Sequence, residues 1–293
     1  FVIILSSNSL KKEVPSMKKI WITGAKGRVG SALTRYFEGW GYKVFPTDLE
    51  DCDVSDETSV MKLADRQLPD VIINCAGYTN IAACQENQEM AYKVNTIGAR
   101  NLAMAAQSTG ALLVQLSTDD IFDGTASVPY HEFDTAVPRS TYGKSKLAGE
   151  EFVKTLAGRY LIIRSCWVYG GGGDMVEQIL TAAEKGEVLK MANNQIASPT
   201  SIKEIARTIA AMLDSQECGT YHVVCKGSCS RYAFAKEVLK KAHKEAVVEP
   251  VIVEDQRPNY SVLDTMMLRI TGIEEPKEWT AALSDYIIES HFG

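Results

Sequence analysis

The sequence predicts an α/β fold: a Rossmann-type, doubly wound parallel sheet with a smaller C-terminal α/β lobe that binds substrate. Three observations carry that expectation. Short continuous apolar runs alternate with amphipathic helical stretches up to about residue 165, as strands do when helices cover both faces of a parallel sheet. A glycine-rich turn, TGAKGRVG (23–30), joins the first apolar run to the first helical stretch. An acid, Asp48, closes the second run, where a dinucleotide fold places a ribose ligand.

The elements follow in order. Residues 20–23 form the first strand, and 28–40 a helix with Val29, Leu33, Tyr36 and Phe37 on one face. The second strand is 43–46. A helix over 56–67 has Ser55 available as its cap. The run 71–75 is a third strand, 95–108 an alanine-rich helix, and 112–116 a further strand. Residues 140–156 read as helix and 160–165 as strand. Past the flexible GGGGD (170–174), helices over 175–185, 202–213 and 231–242 mix with strands over 221–224 and 247–253. The expected division is an extension over 1–16, a dinucleotide-binding domain over 17–170 and a substrate lobe over 171–293, from which segments can return to the first domain. Met17 opens MKKIWITG like a natural start, so 1–16 is read as an extension without function.

Composition narrows the function classes. The 293 residues are 45% hydrophobic, enough for a large core. A net charge of −6 argues against nucleic-acid binding. No run approaches the roughly 18 apolar residues of a membrane span. Seven cysteines without zinc-type spacing fit a reduced, cytoplasmic setting and no metal site. The sequence leaves a homodimer open.

Gly24, Gly27 and Gly30 sit where a backbone must turn tightly and approach a pyrophosphate at a helix N-terminus. Asp48, 24 residues after Gly24, accepts hydrogen bonds from ribose hydroxyls and repels a 2′-phosphate. The expected cofactor is therefore NAD(P)H, with NADH slightly favoured. Arg28 pulls the other way, because a guanidinium can hold a 2′-phosphate. Asp53 reads as a turn acid within reach of the adenine. Farther on, Tyr142 and Lys146 stand at i and i+4 on one helix face. A nearby ammonium is expected to lower the phenol's pKa from its ordinary value near 10. Ser117 and Thr118 end the preceding strand, where a hydroxyl can bind a carbonyl oxygen that Tyr142 protonates.

These features together resemble the extended short-chain dehydrogenase/reductases, and most closely the dTDP-4-dehydrorhamnose reductase family. The resemblance is carried by NCAGYTN (74–80), VN (94–95), STDDIFDG (117–124) and PYHEFD (129–134). It continues in TYGKSKLAGE (141–150), RSCWVYG (164–170), ASPTS (197–201), GTYHVV (219–224) and RPNYSVLD (257–264). It implies reduction of a nucleotide-linked 4-keto sugar by NAD(P)H. It implies Tyr142 as proton donor, Lys146 as its pKa-lowering, ribose-binding neighbour and Thr118 as the group that polarises the keto oxygen. Asp119 and Trp167 would contact the sugar. Val29, Val54, Cys75, Ala76, Gly77 and Leu116 would line the cofactor.

The sequence departs from the family at several places. Asp120 stands where a tyrosine is usual, and would face the substrate. Arg231 stands where a tryptophan is usual, the stretch 81–85 lacks the usual acidic-basic pattern, and the segment before Arg257 is short. Two other readings therefore stand beside the sugar-nucleotide reductase. One is a reductase of the same fold acting on another carbonyl or an imine. The other is a non-catalytic subunit resembling the methionine adenosyltransferase accessory subunits, against which the intact Thr118, Tyr142 and Lys146 argue.

Overall fold

A computed structural model describes residues 18–292; the extension over 1–16 lies outside the described residues. The chain opens with β1 (Lys19–Thr23), α1 (Arg28–Gly39), β2 (Lys43–Thr47), α2 (Glu57–Gln67) and β3 (Val71–Asn74). Two short helices, α3 (Ile81–Glu86) and α4 (Gln88–Tyr92), precede α5 (Gly98–Thr109), β4 (Leu112–Thr118), α6 (Thr141–Leu156) and β5 (Arg159–Ser165). Then come β6 (Val168–Tyr169), α7 (Met175–Glu184), β7 (Leu189–Ala192), β8 (Ile196–Ala197), β9 (Thr200–Ser201) and α8 (Ile202–Ser215). The chain ends with β10 (Gly219–His222), β11 (Cys229–Ser230), α9 (Arg231–Lys241), β12 (Val248–Val251), α10 (Met266–Thr271) and α11 (Trp279–Ile287).

Six strands form one sheet in the order β2-β1-β3-β4-β5-β10, with every pair parallel. The period-2 alternation of a strand explains the double winding. Ile20 and Ile22 of β1 pack on one face with Leu33 and Phe37 of α1. Trp21, between them, packs on the other face with Val60 of α2 and Leu102 of α5. Ile20, Trp21 and Ile22 are fully buried, and burying an aliphatic side chain of this size contributes about 1.5–3 kcal/mol.

The chain beyond residue 171 does not keep to itself. β10 extends the sheet beside β5, and Ile202, Ile205 and Ile209 of α8 share the core of α1. A separate core joins α7, α9 and α11 through Val176, Phe234, Val238 and Leu283.

Three local expectations need correction. Asp56, not Ser55, caps α2, its carboxylate accepting from the Thr58 N–H at 3.0 Å. The Ser55 hydroxyl is taken by Asp53 at 2.7 Å, and a carboxylate is the better partner for a helix N-terminus. The helix expected from 95 begins at Gly98, because 93–97 winds into a π-turn. That turn points Asn95 inward, where its amide donates to the Ser145 hydroxyl and the Tyr78 carbonyl. Helices α3 and α4 were not anticipated; Asn80 and Asn87 cap them.

Candidate active site

The glycine loop fits a phosphate-binding role by geometry. Gly24 has φ +62°, and a Cβ there would lie 2.6 Å from the Ala76 nitrogen. A Cβ on Gly30 would lie 2.2 Å from the Gly24 carbonyl oxygen. Neither position tolerates a side chain, so the loop packs against β3 and delivers the N-terminus of α1, with Gly27 as its cap, to the open end of the sheet. Beneath it, Asn74 accepts from the Thr23 hydroxyl and donates to Gln115, tying the ends of β1 and β3 to the middle of β4.

A cavity of about 540 Å³ opens there, at the C-terminal ends of β1, β3, β4 and β5, within the size range of ligand sites. One wall is Gly27, Arg28, Val29 and Gly30; another is Cys75, Ala76 and Gly77. Leu116, Thr118, Asp119 and Asp120 form the floor, with Tyr142 and Lys146 from α6 beside them. Trp167 closes the far side with Arg231, Arg257 and Ser261, which come from beyond the sheet. Four sequence candidates do not line this cavity. Gly24 shapes the loop from behind. Asp48 accepts from the Lys26 N–H at 2.7 Å, in a smaller recess beside the loop. Asp53 closes a turn onto Ser55, and Val54 is buried under Gly98.

Ser140 caps α6 through the Gly143 N–H at 3.0 Å, which fixes the first turn carrying Tyr142. Burial, and then the charge of Asp120, push the Tyr142 phenol above its ordinary pKa; a hydrogen bond with Thr118 pulls the other way. The expected lowering by Lys146 is not what the geometry gives. The Lys146 ammonium donates to the Leu116 carbonyl at 2.6 Å and is drawn down to about 8 by burial. The phenol is thus held firmly in its neutral form.

The two adjacent acids have different neighbours. Asp119 accepts from the Ser261 hydroxyl at 2.5 Å and from Thr118 at 3.2 Å. Burial raises its pKa, and Ser261 offsets part of the rise. Asp120 is buried too. It does not turn outward and forms no ion pair among the described residues, and burial followed by the charge of Asp119 raises it to about 7. Trp167 holds φ +41°, a backbone strain that such sites commonly store. The Arg231 guanidinium lies 4.2 Å from the centre of its indole ring. The Arg28 guanidinium donates to the Val168 carbonyl at 3.3 Å.

Sequence reading missed Lys26, Gln195 and Ser261. Lys26 pairs with Glu50 beside Asp48 at 2.9 Å. Gln195 and Ser261 come from loops with no periodic signal, although Ser261 lies inside the RPNYSVLD block. Among the described residues no group of three or more His, Cys, Asp or Glu is placed to hold a metal. No described helix is long and apolar enough to cross a membrane.

A parallel sheet whose strand order reverses at the glycine loop, with a Tyr/Lys helix beside the cleft, defines an NAD(P)-dependent oxidoreductase of the extended short-chain dehydrogenase/reductase type. The RmlD substrate-binding domain family matches residues 17–292, and the chain belongs to that family. The spore coat polysaccharide biosynthesis protein SpsK of Bacillus subtilis (strain 168) is 36% identical over 93% of this chain and 98% of its own. The solved dTDP-4-dehydrorhamnose reductase of Clostridium acetobutylicum ATCC 824 is 40% identical, with a TM-score of 0.89 over 92% of this chain and 98% of that one. The dTDP-4-dehydrorhamnose reductase of Bacillus anthracis str. Ames, solved in complex with NADP, is 35% identical, with a TM-score of 0.91 over 93% and 99%.

Proposed function

We propose that this protein reduces the keto group of a nucleotide-linked 4-keto sugar, of the dTDP-4-dehydrorhamnose type, with NAD(P)H. The observation that carries the reading is the meeting of Thr118 and Tyr142 on the cavity floor beyond the glycine loop. The loop and the N-terminus of α1 bind the pyrophosphate of the cofactor. The cofactor, when bound, supplies a hydride to the carbonyl carbon. Tyr142 gives its phenolic proton to the carbonyl oxygen. A donor must carry its proton, and burial together with Asp120 keeps it there. On substrate binding Thr118 turns its single hydroxyl proton from Asp119 to the same oxygen. Lys146, fixed by the Leu116 carbonyl, binds the nicotinamide ribose. Asp119, oriented by Ser261 and Thr118, accepts from the sugar hydroxyls, and Trp167 packs on the ring. The naming of relatives for spore coat polysaccharide synthesis and for dTDP-4-dehydrorhamnose reduction supports the sugar-nucleotide class. Seven free thiols fit a cytoplasmic location.

The test is NADH and NADPH oxidation with dTDP-4-dehydrorhamnose, a panel of simple ketones and a cyclic imine. Turnover confined to the sugar nucleotide supports the reading. Turnover confined to the ketones or the imine replaces it with a different reductase. Tight cofactor binding without turnover on anything points to the non-catalytic subunit.

A further inference from the structure

We propose that Arg231, stacked on Trp167 and anchored by Gln195, joins Arg257 to form a two-guanidinium seat for the diphosphate of the substrate, making Arg231 a specificity-determining residue. The proposal rests on the sugar-nucleotide reading above. Four observations support it. Arg231 and Arg257 line the same cavity as Tyr142. Arg231 is held in place: its guanidinium covers the Trp167 ring at 4.2 Å, and its Nε donates to Gln195 Oε1 at 2.8 Å. Gln195 is buried and is itself fixed, donating to Asp255 at 3.0 Å. Asp255 also takes the Arg257 backbone N–H at 2.8 Å, so one carboxylate organises the support of both arginines.

Neither guanidinium has an ion-pair partner among the described residues; the arginines that do are Arg100, Arg164, Arg207 and Arg269. The two cations instead repel each other. After burial, the charge of Arg257 is the largest influence lowering Arg231, which at about 10 stays protonated at neutral pH. Two cations facing one cavity without a carboxylate in contact are unfavourable until an anion joins them. Planar guanidiniums match phosphate oxygens in pairs. Asp119 and Asp120 lie near enough to act on Arg231 electrostatically, so the cavity has an acidic part suited to sugar hydroxyls and a basic part suited to a diphosphate.

The experiment is calorimetric titration of dTDP and of inorganic pyrophosphate into enzyme saturated with NADP⁺, which occupies the glycine loop. For wild type we expect binding of both, weakening with added salt. Arg231→Gln should lose about tenfold or more in affinity for each, the scale of charged hydrogen bonds, with NADP⁺ affinity unchanged. Arg231→Lys, which keeps charge but not the planar fork, should fall between. Unchanged dTDP and pyrophosphate affinity in Arg231→Gln overturns the seat, as does a wild type that binds neither probe. Arg231-dependent pyrophosphate binding without dTDP binding keeps the seat and overturns the sugar-nucleotide reading instead. Should Arg231→Gln fail to fold, Arg257→Gln on the half-buried loop decides by the same affinities, the same loss upholding the seat and unchanged binding refuting it.

Discussion

Glu150→Ala should destabilise the protein more than most single substitutions. The Glu150 carboxylate is fully buried between α6 and β5. It accepts from Arg164 Nε at 3.1 Å, from Arg164 Nη2 at 2.8 Å and from the Ser117 hydroxyl at 2.5 Å. Arg164 is equally buried. Its remaining neighbours are neutral: the Glu132 carbonyl, the Phe122 ring and His222. Burial, followed by the Arg164 charge, drives His222 down to about 3, so it stays an uncharged ring. Removing Glu150 therefore leaves the Arg164 guanidinium buried without the carboxylate that it pairs with. Breaking a buried pair in this way costs about 3–5 kcal/mol. At ~2–4 °C per kcal/mol for a chain of this class, the melting midpoint should fall by roughly 6–20 °C. Thermal unfolding followed by circular dichroism measures it. The double variant Glu150→Leu/Arg164→Met removes both charges and should recover most of the loss. A Glu150→Ala midpoint equal to wild type, or a double variant worse than Glu150→Ala, would refute the reasoning.

Four further outcomes are expected. Tyr142→Phe should lower kcat by about a hundredfold or more with NAD(P)H affinity unchanged, measured by steady-state kinetics and cofactor titration; full activity removes Tyr142 as donor. Lys146→Met should weaken cofactor binding and turnover together, since the ammonium that holds the nicotinamide ribose also places the ring for hydride transfer; unchanged cofactor affinity removes that role. Asp120 has its folded pKa raised to about 7 by burial and Asp119, so its share of stability is present at low pH and lost as pH rises from the ordinary carboxylate range through about 7. Asp120→Asn should therefore melt increasingly above wild type over that window, and a pH-independent gap would contradict the shift. The carboxylate of Asp48, seated on the loop N–H of Lys26, should give NADH the higher kcat/KM, and Asp48→Ala should move the ratio toward NADPH; a wild-type preference for NADPH would instead point to Lys26.

The sheet was legible because its strands are apolar on both faces and end at turn residues. β1 shows this most simply, with Ile20, Trp21 and Ile22 all buried and shared between two helix layers. The floor of the site was legible for a related reason: Thr118 and Asp119 are polar residues at the end of such a strand, and Tyr142 and Lys146 share a helix face by spacing alone. What stayed hidden depends on contacts distant in sequence. Ser261 reaches Asp119 across 142 positions, and no local pattern announces that pairing. The sign of the Tyr142 shift was misjudged because Lys146 sits one turn away in sequence, while its ammonium is drawn to the Leu116 carbonyl. Helices α3 and α4 escaped notice because at six and five residues they are too short to show a period; their asparagine caps were the available signal.

The central claim is hydride transfer to a sugar carbonyl, and one labelling measurement reaches it directly. The enzyme is incubated with dTDP-4-dehydrorhamnose and NADH or NADPH deuterated at the transferring position of the nicotinamide ring, and the product is read by NMR. The account predicts one deuterium at sugar C4, on a newly formed hydroxyl-bearing carbon, in a reaction that slows at least about a hundredfold in Tyr142→Phe. Oxidised cofactor without deuterium at C4, or no consumption of the sugar nucleotide at all, would contradict it.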